Sequence, residues 1–284
     1  TVDNNNKQSF LQVEYIMLVN QIELSTKAYL AKVVQAAGSV ISIEDAAAAL
    51  DIDNVAASRR LSLWSQQGWL RRIKRGMYTP ISIASGGGEQ VVEDPWVLIP
   101  DLFGDAYVGG WSAAEYWELT EQIFRGICVF TTKQVREKEE VIQGITFVTR
   151  QIKPEKLFDL KPVWREQTKV FISSPEKTII DMLDTPEIGG GIRHISDCLQ
   201  TYLQRDKADV AALIKTAKQQ SNGAVLKRLG FLLERIGSDE SVLNTLREQL
   251  TQGNAKLDPA LNCPRLISRW RLLVPENWLE GDRA

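Results

Sequence analysis

The sequence predicts an α+β protein with two domains, and three observations lead to this prediction. Its 284 residues are about twice the length of an ordinary domain. Segments with helical periodicity are mixed with short apolar or alternating stretches that are typical of strands. Hydrophobic residues make up 44% of the chain and charged residues 25%, so each half has enough apolar material for a core.

A glycine-rich stretch marks the main predicted boundary. Residues 84–94 begin with Ala-Ser-Gly-Gly-Gly-Glu and are interpreted as a linker. They separate a first domain, residues 22–83, from a second, residues 95–284. Residues 1–21 form an extension whose apolar pattern indicates a partly helical segment. This segment either packs on the first domain or pairs two chains.

The first domain is predicted to begin with two helices. Residues 25–37 place apolar side chains at helical spacing, and Gly38 ends the run. Ser42 can cap a second, alanine-rich helix over residues 43–50, with Asp45 placed to bond back to the cap.

A third helix and a hairpin follow. Asp53 or Asn54 caps a helix that runs to about Gln67, and Gly68 stops it. Residues 69–80 then alternate as a hairpin whose turn contains Gly76, a residue that can adopt a positive φ. This order of elements is that of a winged helix-turn-helix, in which the third helix enters the major groove of DNA.

Charge supports a DNA-binding interpretation of this domain. Residues 54–80 contain six basic residues and no acid, whereas the whole chain has a net charge of −2, so the other residues sum to −8. The third helix is predicted to bury Ala57, Leu61 and Trp64 and to expose polar groups that can contact bases. The hairpin cations suit phosphates. The predicted DNA contacts are Asn54, Ser58, Arg59, Arg60, Ser62, Gln66, Arg71, Arg72, Lys74 and Arg75.

The second domain is predicted to contain a small sheet followed by a helical bundle. We place strands at residues 106–108, 127–131, 145–150 and 170–172, with a strand-like piece at 268–274. Ser112 is predicted to cap a helix through Leu119, and Ser174 to cap another with Pro175 at its first position. The bundle helices are expected over residues 194–203, 208–219, 222–236 and 240–250.

Catalytic and metal chemistry is poorly represented. The chain has one histidine, His194, and three cysteines without a CxxC pair, which argues against zinc sites and histidine-based catalysis. Asp159-Leu160-Lys161 has the spacing of some nucleases, and Asp181 and Asp184 could share a helix face toward Mg²⁺. Short patterns of this kind are common, so we expect no catalytic residue, metal or cofactor, and no enzymatic activity.

Basic residues of the second domain allow two interpretations. They are either solvated helix faces and structural ion pairs, or a surface that faces an acidic partner or an RNA. The candidates for such a partner-facing surface are Lys215, Lys218, Lys227, Arg228, Arg265, Arg269 and Arg271.

Several stretches together resemble the AbiEi family of antitoxins, from bacterial abortive-infection, type IV toxin–antitoxin systems. The stretches are SQQGWLRRIKRGMYTPI (65–81), DPWVLIPDLFGDAYVGGWSAAEYWELTEQ (94–122), VFTTK (129–133), SSPEKTIIDMLDTPEIGGG (173–191), KRLGFLLE (227–234) and RWRLLVP (269–275). They span about residues 22–276, and their order and spacing carry the resemblance.

The resemblance implies two activities. The winged helix would bind inverted repeats in double-stranded operator DNA, with dimerisation on DNA an open question, and repress the toxin–antitoxin operon. The second domain would counteract a nucleotidyltransferase-like toxin, without requiring a stable complex. The alternatives are a stand-alone winged-helix regulator whose second domain senses a ligand or partner, and an antitoxin that acts enzymatically on the toxin or its target. No apolar run is long enough to span a membrane, and no signal peptide is evident, so we expect a cytoplasmic protein.

Overall fold

The chain divides into two compact units, Thr1–Glu93 and Asp94–Ala284. The computed structural model describes residues 26–37, 40–81, 94–165 and 167–278. Helices and strands occur in both units, which confirms the predicted mixture of α and β structure. The predicted extension, residues 1–21, and residues 84–93 of the predicted linker lie outside the described residues.

The first unit contains three helices and a small antiparallel sheet. Its elements are α1 (26–37), β1 (Ile41–Ser42), α2 (Ile43–Leu50), α3 (Asn54–Gln66), β2 (Leu70–Lys74) and β3 (Met77–Pro80). The strands pair in the order β1-β3-β2. Val33 of α1, Ala46 of α2 and Leu61 of α3 meet beneath this sheet in one buried cluster with Trp64 and Tyr78. The cluster fixes α3 against the hairpin.

A six-stranded sheet forms the first layer of the second unit. Its strands are β4 (Ala106–Val108), β5 (Gly126–Thr131), β6 (Glu139–Ile142), β7 (Ile145–Gln151), β8 (Leu160–Arg165) and β9 (Thr168–Ser173). They lie in the order β6-β7-β5-β4-β9-β8, with β5 parallel to β7 and β4 parallel to β9. The four predicted strands are confirmed, whereas β6 and β8, the two edges of the sheet, were not predicted.

Short helices connect the start of this unit to the sheet. Asp94 caps a 3₁₀ helix, Pro95–Leu98, that continues into α4 (Ile99–Phe103). The helix predicted from Ser112 is α5 (Gly110–Tyr116), and Gly109 rather than Ser112 is its N-cap. The prediction was wrong because the Ser112 hydroxyl is buried, where it accepts a hydrogen bond from the Cys128 backbone N–H at 2.9 Å.

Five helices form the bundle of the second unit. They are α6 (Pro175–Asp184), α7 (Ile192–Leu203), α8 (Val210–Gln219), α9 (Gly223–Ile236) and α10 (Glu240–Arg247). A second small sheet of β10 (Ala255–Lys256), β11 (Arg265–Ile267) and β12 (Leu272–Val274) packs on them. Helix α9 is central: a Cβ at Gly230 would lie 2.1 Å from the buried Trp270 ring, so only glycine permits this contact.

Two other general features follow from the described residues. Cys128, Cys198 and Cys263 are buried and unbridged. Within the same described ranges, every helix is too short or too polar to cross a bilayer.

Candidate nucleic-acid interface

Two side-chain caps hold α2 and α3 in place. Ser42 Oγ accepts from the Asp45 N–H, and the Asp45 carboxylate accepts from the Ser42 N–H, both at 3.0 Å. Asp51 adopts a left-handed conformation after α2. Asp53 then accepts hydrogen bonds from the first-turn N–H groups of α3, which confirms it as the N-cap. The turn between the two helices is therefore defined by local hydrogen bonds.

Helix α3 has one buried and one accessible face. Ala57, Leu61 and Trp64 are fully buried, as predicted. The exposed residues on the remaining surface are Asn54, Val55, Arg59, Leu63 and Gln66, and Ser58 is half-buried. The helix thus presents an arginine, two amides and two apolar side chains to solvent.

Two predicted contacts are partly engaged inside the unit. The Arg60 guanidinium lies 5.0 Å from the centre of the Tyr29 ring on α1. Ser62 Oγ lies 3.2 Å from the Tyr78 hydroxyl on β3, within hydrogen-bond distance. These contacts tie α3 to α1 and to the hairpin, so we assign Arg60 and Ser62 a positioning role as well.

The hairpin distributes its four cations over two faces. Gly76 has φ +79° at the turn, as predicted, and the ladder is interrupted by a register shift between Arg72 and Lys74. Arg71 pairs with Thr79 and Arg72 with Tyr78, and neighbouring residues of a strand point to opposite faces. Arg72 and Arg75 are exposed, whereas Arg71 and Lys74 are half-buried. The sequence pattern alone does not separate these two classes.

Lys227 and Arg228 do not belong to a partner-facing surface. Both are buried on α9, and burial lowers the pKa of each cation. Lys227 Nζ donates to the Gly253 carbonyl at 2.8 Å, and Arg228 donates to the carbonyls of Leu183 and Lys256. The prediction was wrong because these cations satisfy backbone carbonyls from segments distant in sequence.

The other predicted cations of the second unit are exposed, but three have internal partners. Arg265 pairs with Glu276 at 3.6 Å, Arg269 bonds Glu234, and Arg271 donates to the Thr251 carbonyl. Lys215 and Lys218 border a groove of about 430 Å³ between α8 and α10. Both lysines are exposed.

Glu234 is the centre of one charged cluster on α9. Its carboxylate accepts hydrogen bonds at 2.9 Å from Arg247, Arg269 and the indole N–H of Trp270. Partial burial pushes the pKa of Glu234 upward, but the bonds from Arg269, Trp270 and Arg247 together outweigh it, so the pKa lies below its ordinary value of 4.5.

Replacing Glu234 with glutamine should reduce the acid sensitivity of the second unit. A carboxyl whose pKa is lower in the folded protein than in the unfolded chain stabilises the fold above the unfolded-chain pKa of 4.5. This stabilisation is lost as the pH falls through the pKa of the folded protein. We expect the difference in Tm between pH 7 and pH 3 to be smaller in Glu234→Gln than in the wild type. The exposed Glu276→Gln is the control, and an equal pH dependence in all three proteins would contradict the assignment.

The acids considered as a Mg²⁺ pair have separate partners. Asp181 accepts from Lys177 and Tyr107, and Asp184 accepts from the side-chain amides of Gln220 and Asn222. No group of three potential ligands with the geometry of a metal site occurs among the described residues. In the Asp159–Lys161 pattern, Asp159 accepts a hydrogen bond from Ser174 Oγ at 2.6 Å, so its carboxylate has a structural partner.

Lys177 and Tyr107 form a buried polar cluster that sequence reasoning missed. Lys177 Nζ lies 2.9 Å from Asp181 Oδ1, and the Tyr107 hydroxyl donates to Oδ2 at 2.9 Å. The spacing of Lys177 and Asp181, four residues apart on α6, is the signal that could have found the pair.

His194 has a structural environment. It is buried in the first turn of α7, with Nδ1 2.6 Å from the Gly189 carbonyl and Nε2 2.9 Å from Thr120 Oγ1. Both ring nitrogens are therefore engaged.

Comparison with known proteins identifies a similar fold. Neither protein-family models nor curated protein sequences give a match to this chain. The crystal structure of the RV2827C protein from Mycobacterium tuberculosis is similar, with a TM-score of 0.54 and 16% identity. The similarity covers 87% of this chain and 91% of that one, so it extends over most of both. At this identity it shows a shared fold alone.

Proposed function

We propose that residues 26–81 are a winged helix-turn-helix that binds operator DNA, and that the chain is an antitoxin of the AbiEi type. The observation that carries the DNA-binding part is the exposed face of α3 beside a basic hairpin. Arg59 and Gln66 supply the side-chain types that recognise guanine and adenine edges, and Arg72 and Arg75 supply phosphate contacts. Arg59 is the base-reading residue we consider most important.

The antitoxin part rests on the sequence resemblance. In this proposal the chain represses its own operon through the first unit and counteracts a nucleotidyltransferase-like toxin through the second. Lys177, Asp181 and His194 are held by internal partners, so this proposal gives them a structural rather than a catalytic role. Lys215 and Lys218 are the predicted partner-facing cations that this proposal retains.

Replacing Arg59 with alanine should weaken specific DNA binding. Loss of a bidentate base contact costs about 1–3 kcal/mol and relaxes preference at one base pair. The measurement is fluorescence anisotropy with the duplex upstream of the chain's own gene, and with a scrambled duplex of the same composition. The specific-to-scrambled ratio should fall. An unchanged ratio would mean that another face of α3 enters the groove.

The same variant separates the two halves of the proposal. Arg59→Ala should still protect cells when it is co-expressed with the nucleotidyltransferase-like protein encoded beside it, because the first unit makes no proposed contact with the toxin. Loss of protection with unchanged protein level would contradict this division of roles. If the neighbouring gene encodes no such protein, the antitoxin part fails while the DNA-binding part can still hold.

A further inference from the structure

The hairpin β8–β9 exposes aromatic rings on one face. The register pairs Pro162 with Phe171 and Trp164 with Lys169, so these four side chains share a face of the sheet. Trp164 is 66% exposed and Phe171 38% exposed, which is unusual for side chains of this size. Lys169 Nζ lies 4.9 Å from the centre of the Phe171 ring. We name these four residues the β8–β9 platform.

The opposite face of the same hairpin is covered. The Arg165 guanidinium lies 4.6 Å from the centre of the Trp96 ring and 5.5 Å from that of Tyr116, and it pairs with Asp94 at 3.4 Å. The hairpin is therefore anchored on one side. Trp164 is therefore exposed on a strand that is held in place by its opposite face.

The edge of the sheet is a poor site for an added protein strand. Strand β8 is an edge strand, and Pro162 lies within it. Proline has no N–H to donate, so it interrupts any ladder that another strand could form along this edge. Two rings and one proline also offer far less area than the roughly 800 Å² per partner of a stable protein interface. The side chains, not the backbone edge, are the available binding groups.

The charge and the spacing of the rings fit a single-stranded nucleic acid. Trp164 and Phe171 are diagonal neighbours on adjacent strands. Residues in such positions are typically about 7–8 Å apart, so each ring can stack on a different base. Lys169 pairs with Trp164 across the two strands and its ammonium lies over the Phe171 ring, so one cation is available beside both rings for a phosphate. Unstacked bases held on aromatic rings of a sheet are a common mode of RNA recognition.

We propose that the β8–β9 platform binds single-stranded RNA, with Trp164 and Phe171 stacking on bases and Lys169 contacting the backbone. This site lies in the second unit and does not depend on the proposed duplex-DNA site of the first. Excess duplex DNA should therefore not displace single-stranded RNA from the platform.

The test uses the full chain and a fluorescein-labelled uridine 12-mer, with binding followed by anisotropy in the presence of excess unlabelled duplex DNA. We expect Trp164→Ala to weaken binding about tenfold or more, because one base stack is lost. Trp164→Phe, which keeps a ring, should stay within about threefold of the wild type. Lys169→Ala should flatten the plot of log K against log salt by about 0.7.

The matched control is Val141→Ala. Val141 is a similarly exposed apolar residue on β6, at the other edge of the same sheet, and its loss should leave RNA binding unchanged. Wild-type binding that is undetectable, or equal in Trp164→Ala, would overturn the proposal. Tighter binding of a thymidine 12-mer than of the uridine 12-mer would overturn the assignment to RNA.

Discussion

Replacing Lys177 with methionine is expected to destabilise the second unit by about 3–5 kcal/mol, because it leaves a buried carboxylate without its counter-charge. The side chains of Lys177 and Asp181 are 0% and 1% exposed. The ammonium is also packed 4.1 Å from the centre of the Phe158 ring, so water cannot replace it without rearrangement. Urea unfolding at pH 7 measures the loss of free energy.

The double variant Lys177→Met/Asp181→Leu tests the electrostatic cause. It removes both charges and keeps apolar volume, so it should recover most of the stability lost in the single variant. Lys153→Met is the control, because Lys153 and Glu155 form an exposed pair, with 3.9 Å between the charged atoms, that should contribute less than about 1 kcal/mol. Equal stability of the single and double variants would contradict this account.

The pH dependence of the single variant follows from Asp181. Burial raises the pKa of this carboxyl above 3.8, while Lys177 and Tyr107 oppose the shift. Without Lys177 the pKa should rise further. A raised carboxyl pKa gives stability that is present below the unfolded value and is lost as the pH rises through the folded value. Lys177→Met should therefore lose less stability at pH 4 than at pH 7.

Local signals explain which parts of the fold the sequence could predict. The caps at Ser42, Asp53 and Ser174 are correct, because a cap depends on a hydrogen bond between residues two or three apart. The predicted turn at Gly76 is also correct, because it depends only on the positive φ that glycine can adopt. Both kinds of signal lie within a few residues and need no tertiary contact.

Tertiary contacts explain what the sequence could not predict. The edge strands β6 and β8 carry charged residues and, in β8, Pro162, so they lack the alternation expected of a half-buried strand. Lys227 and Arg228 look like surface cations, but α9 is surrounded by other elements and their partners are carbonyls 26 or more residues away. The apolar residues on every side of α9 are the signal that indicates a central helix.

Reversing two charges on the hairpin should lower DNA affinity by a larger factor than the loss of Arg59. Arg72 and Arg75 are its two exposed cations, whereas Arg71 and Lys74 are half-buried. In Arg72→Glu/Arg75→Glu we expect affinity at moderate salt to fall about a hundredfold or more on specific and scrambled duplexes alike. The affinity that remains should have a log K against log salt slope flattened by about 1.8, which is 0.9 for each of two phosphate contacts.

A matched charge reversal in the second unit distinguishes local contact from net charge. Lys215→Glu/Lys218→Glu changes the chain by the same four charges, at exposed lysines on α8. If the hairpin touches phosphates, only the hairpin variant should lose DNA affinity, because only Arg72 and Arg75 of these four residues are proposed to contact the DNA backbone. Equal losses in both variants would mean that DNA responds to the total charge of the protein. An unchanged salt slope in the hairpin variant would mean that Arg72 and Arg75 do not lie on the phosphate backbone.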